Sequence, residues 1–305
     1  MRKARILVAG EICREITVSG VTGFENDTAS AEEMTYGLGG AGMLTSAILS
    51  FYGSDVVLCS KVGRDGDGRA IQKYLSSGGF KADTRFVASS EDVKTSVHLK
   101  INTPEGKKTV ICRDKKYGIG REEIDDAFIS YPDAAVLLDC INPWGYRQAA
   151  QQSAANGSRL FIMTSPDTAT LHHFEKCEVL SLTEDEAVAM TGLRLNDQEN
   201  CMRACMALDK HIKSEFTVLR LGDRGYFISD GTFYTFVPAY ELPACDRKDC
   251  DTMFVSAFLH SFIDCECGVK EACEFASAAV AVYVTRGESE IPTENDVEAF
   301  IARNR

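Results

Sequence analysis

The sequence predicts a doubly wound α/β protein: a mostly parallel sheet with helices on both faces and a small β-lid. Three observations point there. Short apolar strands alternate with longer helical patterns along the chain, two stretches break that rhythm as antiparallel ribbons, and no linker, repeat or low-complexity tract interrupts the 305 residues. The expected organisation is one domain over residues 1–305, with the lid formed from inserted segments at about residues 13–38 and 94–113.

Taken in order, Ile6-Leu7-Val8-Ala9 reads as a buried strand ending at Gly10, and residues 43–51 as a helix closed by Gly53. Val56-Val57-Leu58-Cys59 is the next strand, followed by a helix over 69–75 that stops at Gly78-Gly79. Later strands are Ala135-Val136-Leu137-Leu138, Arg159-Leu160-Phe161-Ile162, Val179-Leu180-Ser181-Leu182 and Phe216-Thr217-Val218-Leu219. Helices are expected near 183–190, 201–208, 252–263 and 270–282. The ribbons cover residues 15–36 and 95–113. In the second, polar and apolar residues alternate from Ser96 to Ile101, and the chain turns at Pro104-Glu105-Gly106.

Composition narrows the function. Hydrophobic residues make up 45% and charged residues 26%, the balance of a folded globular chain. A net charge of -12 argues against nucleic acid or an anionic membrane as partner, since both call for a basic surface. The first residues lack the long apolar run and small-residue cleavage site of a signal peptide, and no stretch approaches the ~20 apolar residues that span a bilayer. A cytoplasmic location is the expectation. Twelve cysteines are scattered without a Cys-x-x-Cys pair, so they read as small buried hydrophobes in a reducing compartment.

Two glycine clusters could approach a ligand. Gly37, Gly39 and Gly42 match G-x-G-x-x-G ahead of a helix. A dinucleotide fold would require a buried strand before them, where Ala31-Glu32-Glu33-Met34-Thr35 stands, and an acidic residue after the next strand, where Cys59-Ser60-Lys61 stands. Both conditions fail. The second cluster, Val62-Gly63-Arg64-Asp65-Gly66-Asp67-Gly68, resembles the V-G-x-D-x-x-G segment of PfkB, or ribokinase-like, sugar kinases.

The resemblance extends over nearly the whole chain. Gly10-Glu11-Ile12 resembles that family's opening, Gly39-Gly40 its first signature, and Gly78-Gly79-Phe80 a later turn. Thr183-Glu184-Asp185-Glu186 is similar to its N-x-x-E segment and Leu221-Gly222-Asp223-Arg224-Gly225 to its nucleotide loop. Asp251-Thr252-Met253-Phe254 looks like the end of the second signature, and residues 276–279 like the C-terminal helix. By resemblance, Asp251 is the general base that deprotonates a substrate hydroxyl as it attacks the γ-phosphate of ATP. Glu186 organises Mg2+, while Gly222, Gly225, Ser277, Cys250 and Thr183 border the nucleotide. Cys13, Glu15, Gly39, Gly40 and Leu44 border the acceptor.

Several positions depart from that pattern. The second signature, D-x-x-G-A-G-D, reads Cys245-Asp246-Arg247-Lys248-Asp249-Cys250-Asp251, so Lys248 and Cys250 replace glycines whose amides form an anion hole. Lys248 is a candidate to supply charge in their place. The leading aspartate, tied to a monovalent-cation site, is Cys245. On the acceptor side an Asn and an Asp appear as Cys13 and Glu15, a further Asn as Leu44, and the Asn of N-x-x-E as Thr183. The resemblance implies an ATP-dependent kinase of a small sugar-like or nucleoside-like hydroxyl compound. The departures leave open a degenerate member that binds nucleotide or metabolite without turnover. Val97, Leu99, Ile101, Val110 and Cys112 form a candidate apolar lid face for a homodimer.

Overall fold

Ile6 and Val8 face one side of an extended segment and Leu7 and Ala9 the other, and all four are fully buried. That two-sided burial defines an interior strand covered on both faces. The computed structural model describes residues 3–22, 28–103, 106–164, 176–242, 247–287 and 290–304, without the side chains of Lys107, Arg247 and Lys248. Cys245 and the turn at Pro104-Glu105 lie outside the described residues.

The strands β1 (Arg5–Ala9), β4 (Asp55–Gly63), β5 (Asp83–Ser90), β8 (Ala134–Leu137), β9 (Arg159–Ile162), β10 (Cys177–Thr183) and β11 (Ser214–Arg220) pair in parallel. An antiparallel edge, β12 (Gly225–Ser229) and β13 (Tyr234–Pro238), completes nine strands in the order β13-β12-β11-β10-β9-β8-β1-β4-β5. One face packs Ile6, Val8, Val136, Phe161, Val179 and Val218 against α1 (Ala41–Phe51), α7 (Arg247–Leu259) and α8 (Val269–Thr285). The other packs Leu7, Leu137, Ile162, Leu180 and Leu219 against α3 (Arg121–Phe128), α4 (Pro143–Asn156), α5 (Glu184–Thr191) and α6 (Gln198–Asp209). The period-2 alternation divides each strand between two cores.

The doubly wound expectation therefore holds. Sequence reading placed the interior strands within a few residues but missed β5, α3, α4, the β12–β13 edge and α9 (Glu294–Asn304). It also began the helix carrying Asp251 at residue 252. In the structure α7 starts at Arg247, because Lys248-Asp249-Cys250 lacks the glycines that would interrupt a helical turn. Asp251 thus lies past the first turn rather than at the helix start.

A second sheet has the order β3-β2-β6-β7, from β2 (Cys13–Ser19), β3 (Glu33–Gly39), β6 (Val97–Thr103) and β7 (Gly106–Cys112). These are the two ribbons, joined by parallel pairing of β2 with β6. Register places Glu15 opposite His98 and Lys100 opposite Thr109, on one polar face. Ile16, Val18, Val97, Leu99, Ile101, Val110 and Cys112 share the other face with Met34 and Tyr36, both more than half exposed.

The Val62–Gly68 segment ties this sheet to the body. Asp65 caps α2 (Gly66–Ser76) through the Gly68 amide at 2.8 Å, and accepts from the Thr95 amide at 2.8 Å and the Thr95 hydroxyl at 2.7 Å. Burial opposes the Asp65 charge, but these donors prevail and hold its carboxyl below the ordinary value. A Cβ on Gly68 would sit 1.8 Å from the Gly63 carbonyl oxygen. The motif that carries the family resemblance is thus a mechanical junction.

Candidate functional site

Between the polar face of the small sheet and the carboxyl ends of the main strands lies a cavity of about 290 Å3. It sits where the strand order reverses around β1, the position where open α/β sheets receive ligands. Each strand end contributes: Leu138 and Asp139 after β8, Met163 and Thr164 after β9, Thr183 at the end of β10 and Arg220 at the end of β11. Glu15, His98, Lys100, Thr109 and Arg113 enter from the small sheet, and Asp249, Asp251 and Thr252 from α7.

The cavity brings together Asp251, Glu186, Thr183, Glu15, Gly40 and Leu44 from the sequence-predicted set. Gly40 opens α1 at φ 95°, where a Cβ would lie 2.4 Å from the Glu11 carbonyl oxygen, so only glycine fits. The others do not line it. Cys13 is buried in the core, Gly39 packs on the Glu15 carboxylate, and Cys250 packs toward the core. Ser277 is buried in α8 beside the Tyr226 hydroxyl, and Gly222 and Gly225 flank the turn between β11 and β12. Lys248 falls in the first turn of α7, its side chain outside the described set.

Glu186 is built into its helix. Its Oε2 accepts from the Thr183 amide at 2.7 Å and the Thr183 hydroxyl at 2.9 Å, a capping box at the start of α5. Its Oε1 accepts from the Thr164 hydroxyl at 2.7 Å. A capping box is legible in T-x-x-E, and that signal went unused in the sequence reading. Among divalent ions, Mg2+ takes one or two carboxylates and completes its shell with water and phosphate oxygens. Glu186, which lines the cavity, could serve as such a ligand, directly or through water.

Where the small sheet meets the end of β1 lies a cluster that sequence reasoning missed. Glu11 is fully buried and accepts two bonds from Arg113, at 2.7 and 2.6 Å, with His98 Nε2 at 3.0 Å. Burial alone would raise its pKa, but the nearby polar groups of His98, Arg113 and Ser96 outweigh that and bring it down to about 2. Asp139 accepts the Glu11 amide at 3.2 Å, and burial together with the Glu11 charge pushes its pKa up. Glu11, Cys13 and His98 come close enough to suggest a metal, yet the two-pronged grip of Arg113 commits the Glu11 carboxylate elsewhere. Next to it, Lys100 bridges Glu15 at 3.1 Å and Asp249 at 3.1 and 3.2 Å, joining the small sheet to α7. Burial works against the Lys100 charge, but the two carboxylates win and raise its pKa. The available signal was the alternation His98-Leu99-Lys100, whose polar members had to share one face.

Arg220, also missed, ends the apolar strand β11 and is only 7% exposed. Its Nη1 donates to Ser181 Oγ at 2.8 Å and to the Met163 carbonyl at 3.4 Å. Its Nε stands 3.4 Å from Asp251 Oδ1, and its Nη2 3.7 Å from Glu186 Oε2.

Comparison with known proteins gives a consistent result. The model of the pfkB family of carbohydrate kinases matches residues 3–296. Among curated proteins, the bifunctional protein HldE of Helicobacter hepaticus is 21% identical over 273 residues, covering 87% of this chain and 56% of that protein. The chain spans only 56% of the bifunctional relatives it matches. A deoxyribokinase of Salmonella typhi is 22% identical over 289 residues, 92% of each chain. In structure, the ribokinase of Arabidopsis thaliana complexed with ribose and ATP aligns at a TM-score of 0.79, with 18% identity over 98% of this chain and 99% of that one. The ribokinase of Giardia lamblia aligns at 0.80, with 17% identity and full coverage of both chains.

Proposed function

The chain belongs to the pfkB family of carbohydrate kinases, and from that premise we propose that it transfers a phosphoryl group from ATP to a hydroxyl of a small sugar-like or nucleoside-like acceptor. The observation that carries this reading is the convergence of Asp251, Glu186 and Glu15 on one cavity at the carboxyl ends of the strands. A solved relative that holds ribose and ATP, and a curated deoxyribokinase, support the substrate class.

In this reading Asp251 is the general base. It takes the acceptor's hydroxyl proton as that oxygen bonds to the γ-phosphorus, and the bond from phosphorus to the bridging oxygen breaks with its electron pair leaving on ADP. Glu186 would hold Mg2+, directly or through water, and the ion's role would be to neutralise phosphate charge. Gly222, Gly225, Cys250, Thr183 and Ser277 are proposed for the nucleotide side, and Lys248 for phosphate charge. Glu15, Gly40 and Leu44, which line the cavity, are proposed for the acceptor side, where Leu44 offers no hydrogen bond. An acceptor with an apolar edge there avoids the ~1–3 kcal/mol cost of a buried unmade bond.

The small sheet acts as a lid on a single domain. Its apolar face, with Met34, Tyr36 and Val110 about half exposed, is the proposed surface for a homodimer in the cytoplasm. Sedimentation at micromolar concentration tests this: a dimer supports it and a monomer removes it.

The enzymatic test is Mg-ATP-dependent ADP release over a panel of sugars and nucleosides, with the Asp251→Asn variant alongside. Acceptor-dependent release that falls by about 100- to 10,000-fold in the variant is the expected result. The alternative, binding without turnover, draws on the replaced glycines of the second signature. It would be recognised by nucleotide binding to both proteins with no ADP release from either.

A further inference from the structure

We propose that Arg220 is a catalytic residue of this site, contacting the transferring phosphoryl group through its Nε and Nη2 edge. The inference rests on the kinase reading above and goes beyond it by assigning the anion-binding role to a side chain outside the second signature.

Three features of Arg220 carry it. First, the guanidinium is anchored at one end only. Nη1 is held by Ser181 Oγ and the Met163 carbonyl, so the group is fixed in direction. Second, the opposite edge is under-used. Nε makes no hydrogen bond of acceptable geometry among the described residues, although it is buried from solvent and stands 3.4 Å from Asp251. Nη2 is 3.7 Å from Glu186, beyond hydrogen-bond reach for that pair. A buried arginine normally fills its donors, and this planar fork, covered only by loose contacts with two carboxylates, matches an anion with two oxygens. Third, the two groups this edge faces are the proposed base and the proposed metal carboxylate.

Charge gives the reason. Asp251 and Glu186 together present two negative charges to an incoming polyphosphate, and Arg220 offsets one of them from within the same wall. The second signature, where amides would assist, here reads Lys248-Asp249-Cys250, and Asp249 is bonded to Lys100 from the small sheet. A guanidinium pinned on the sheet end is preorganised in a way that a side chain on a loop is not. As the hydroxyl oxygen bonds to phosphorus and the bridging bond breaks, charge develops on the bridging oxygen and stays spread over the three equatorial oxygens. Arg220 would exchange its loose contacts with the carboxylates for charge-assisted bonds to those oxygens.

The test has an equilibrium arm and a kinetic arm. Calorimetry with Mg-ADP and with a non-hydrolysable Mg-ATP analogue is run on the wild type, Arg220→Gln and Lys248→Gln, each checked for folding by circular dichroism. The expected result is that Arg220→Gln loses at least about tenfold in affinity for the analogue while its ADP affinity moves less than about threefold. In turnover, Arg220→Ala should lose about 100-fold in kcat and recover part of it with added guanidinium, a rescue that a structural role would not produce. If Arg220→Gln keeps the analogue-to-ADP ratio, or if Lys248→Gln alone abolishes it, the inference is overturned. Absent turnover in the wild type with the ratio still dependent on Arg220 would sink the kinase reading yet retain the phosphate contact. A wild type that binds neither nucleotide would end both.

Discussion

The two halves of the cavity handle buried charge in opposite ways. Near the small sheet Glu11 and Arg113 meet through two bonds of 2.6 and 2.7 Å, with His98 at 3.0 Å. At the ends of β10 and β11 Arg220 approaches Asp251 and Glu186 only to 3.4 and 3.7 Å. The first arrangement spends its donors on the protein and fixes where the small sheet meets β1. The second leaves donors over for a ligand. In these two places the difference in closeness matches a difference in proposed role, the first holding shape and the second facing a ligand.

The largest expected effect separates these roles by stability. Arg113→Ala strands the buried Glu11 carboxylate and should cost about 3 kcal/mol in urea unfolding. Arg220→Gln should cost about 1 kcal/mol, because its carboxylate partners keep solvent access that screens them. Equal losses would break the comparison. Next, Asp65→Ala removes a helix cap and a tie to Thr95 and should destabilise by about 1–2 kcal/mol, with KM for ATP unchanged in the folded fraction.

A pH series sharpens the same contrast. The folded pKa of Glu11, near 2 against an ordinary 4.5, lies below its unfolded value. Its contribution is therefore present above about pH 4.5 and is lost as pH falls toward 2. Wild type should lose stability faster than Glu11→Gln across that window, and parallel curves would refute the assignment. The smallest effect is expected at Leu44→Asn, which should change acceptor KM by less than about tenfold while leaving nucleotide affinity alone.

Much of the fold was legible because two-sided strands such as Ile6-Leu7-Val8-Ala9 are continuous apolar runs bounded by glycine. β5 was hidden because Asp83-Thr84-Arg85 opens it with polar residues, and it is an edge strand with little to bury. α4 was hidden because its polar, alanine-rich stretch shows weak periodicity. In the site, the glycines and carboxylates stood out because each is local in sequence. Glu11, Arg113 and Arg220 did not, since Glu11 and Arg113 lie 102 residues apart and Arg220 lies 31 residues from Asp251 and 34 from Glu186, and only folding brings them together. Asp65 shows the reverse case, a strong local motif whose role in this chain is structural.

The most direct test of the central claim is transfer of labelled γ-phosphate from ATP to a panel of hydroxylated acceptors, read as labelled product in wild type and Asp251→Asn. Wild type should phosphorylate one or a few acceptors, and the variant should lose at least about 100-fold of that labelling. Equal labelling by both proteins would contradict Asp251 as base, and no labelled acceptor despite tight nucleotide binding would contradict the kinase itself.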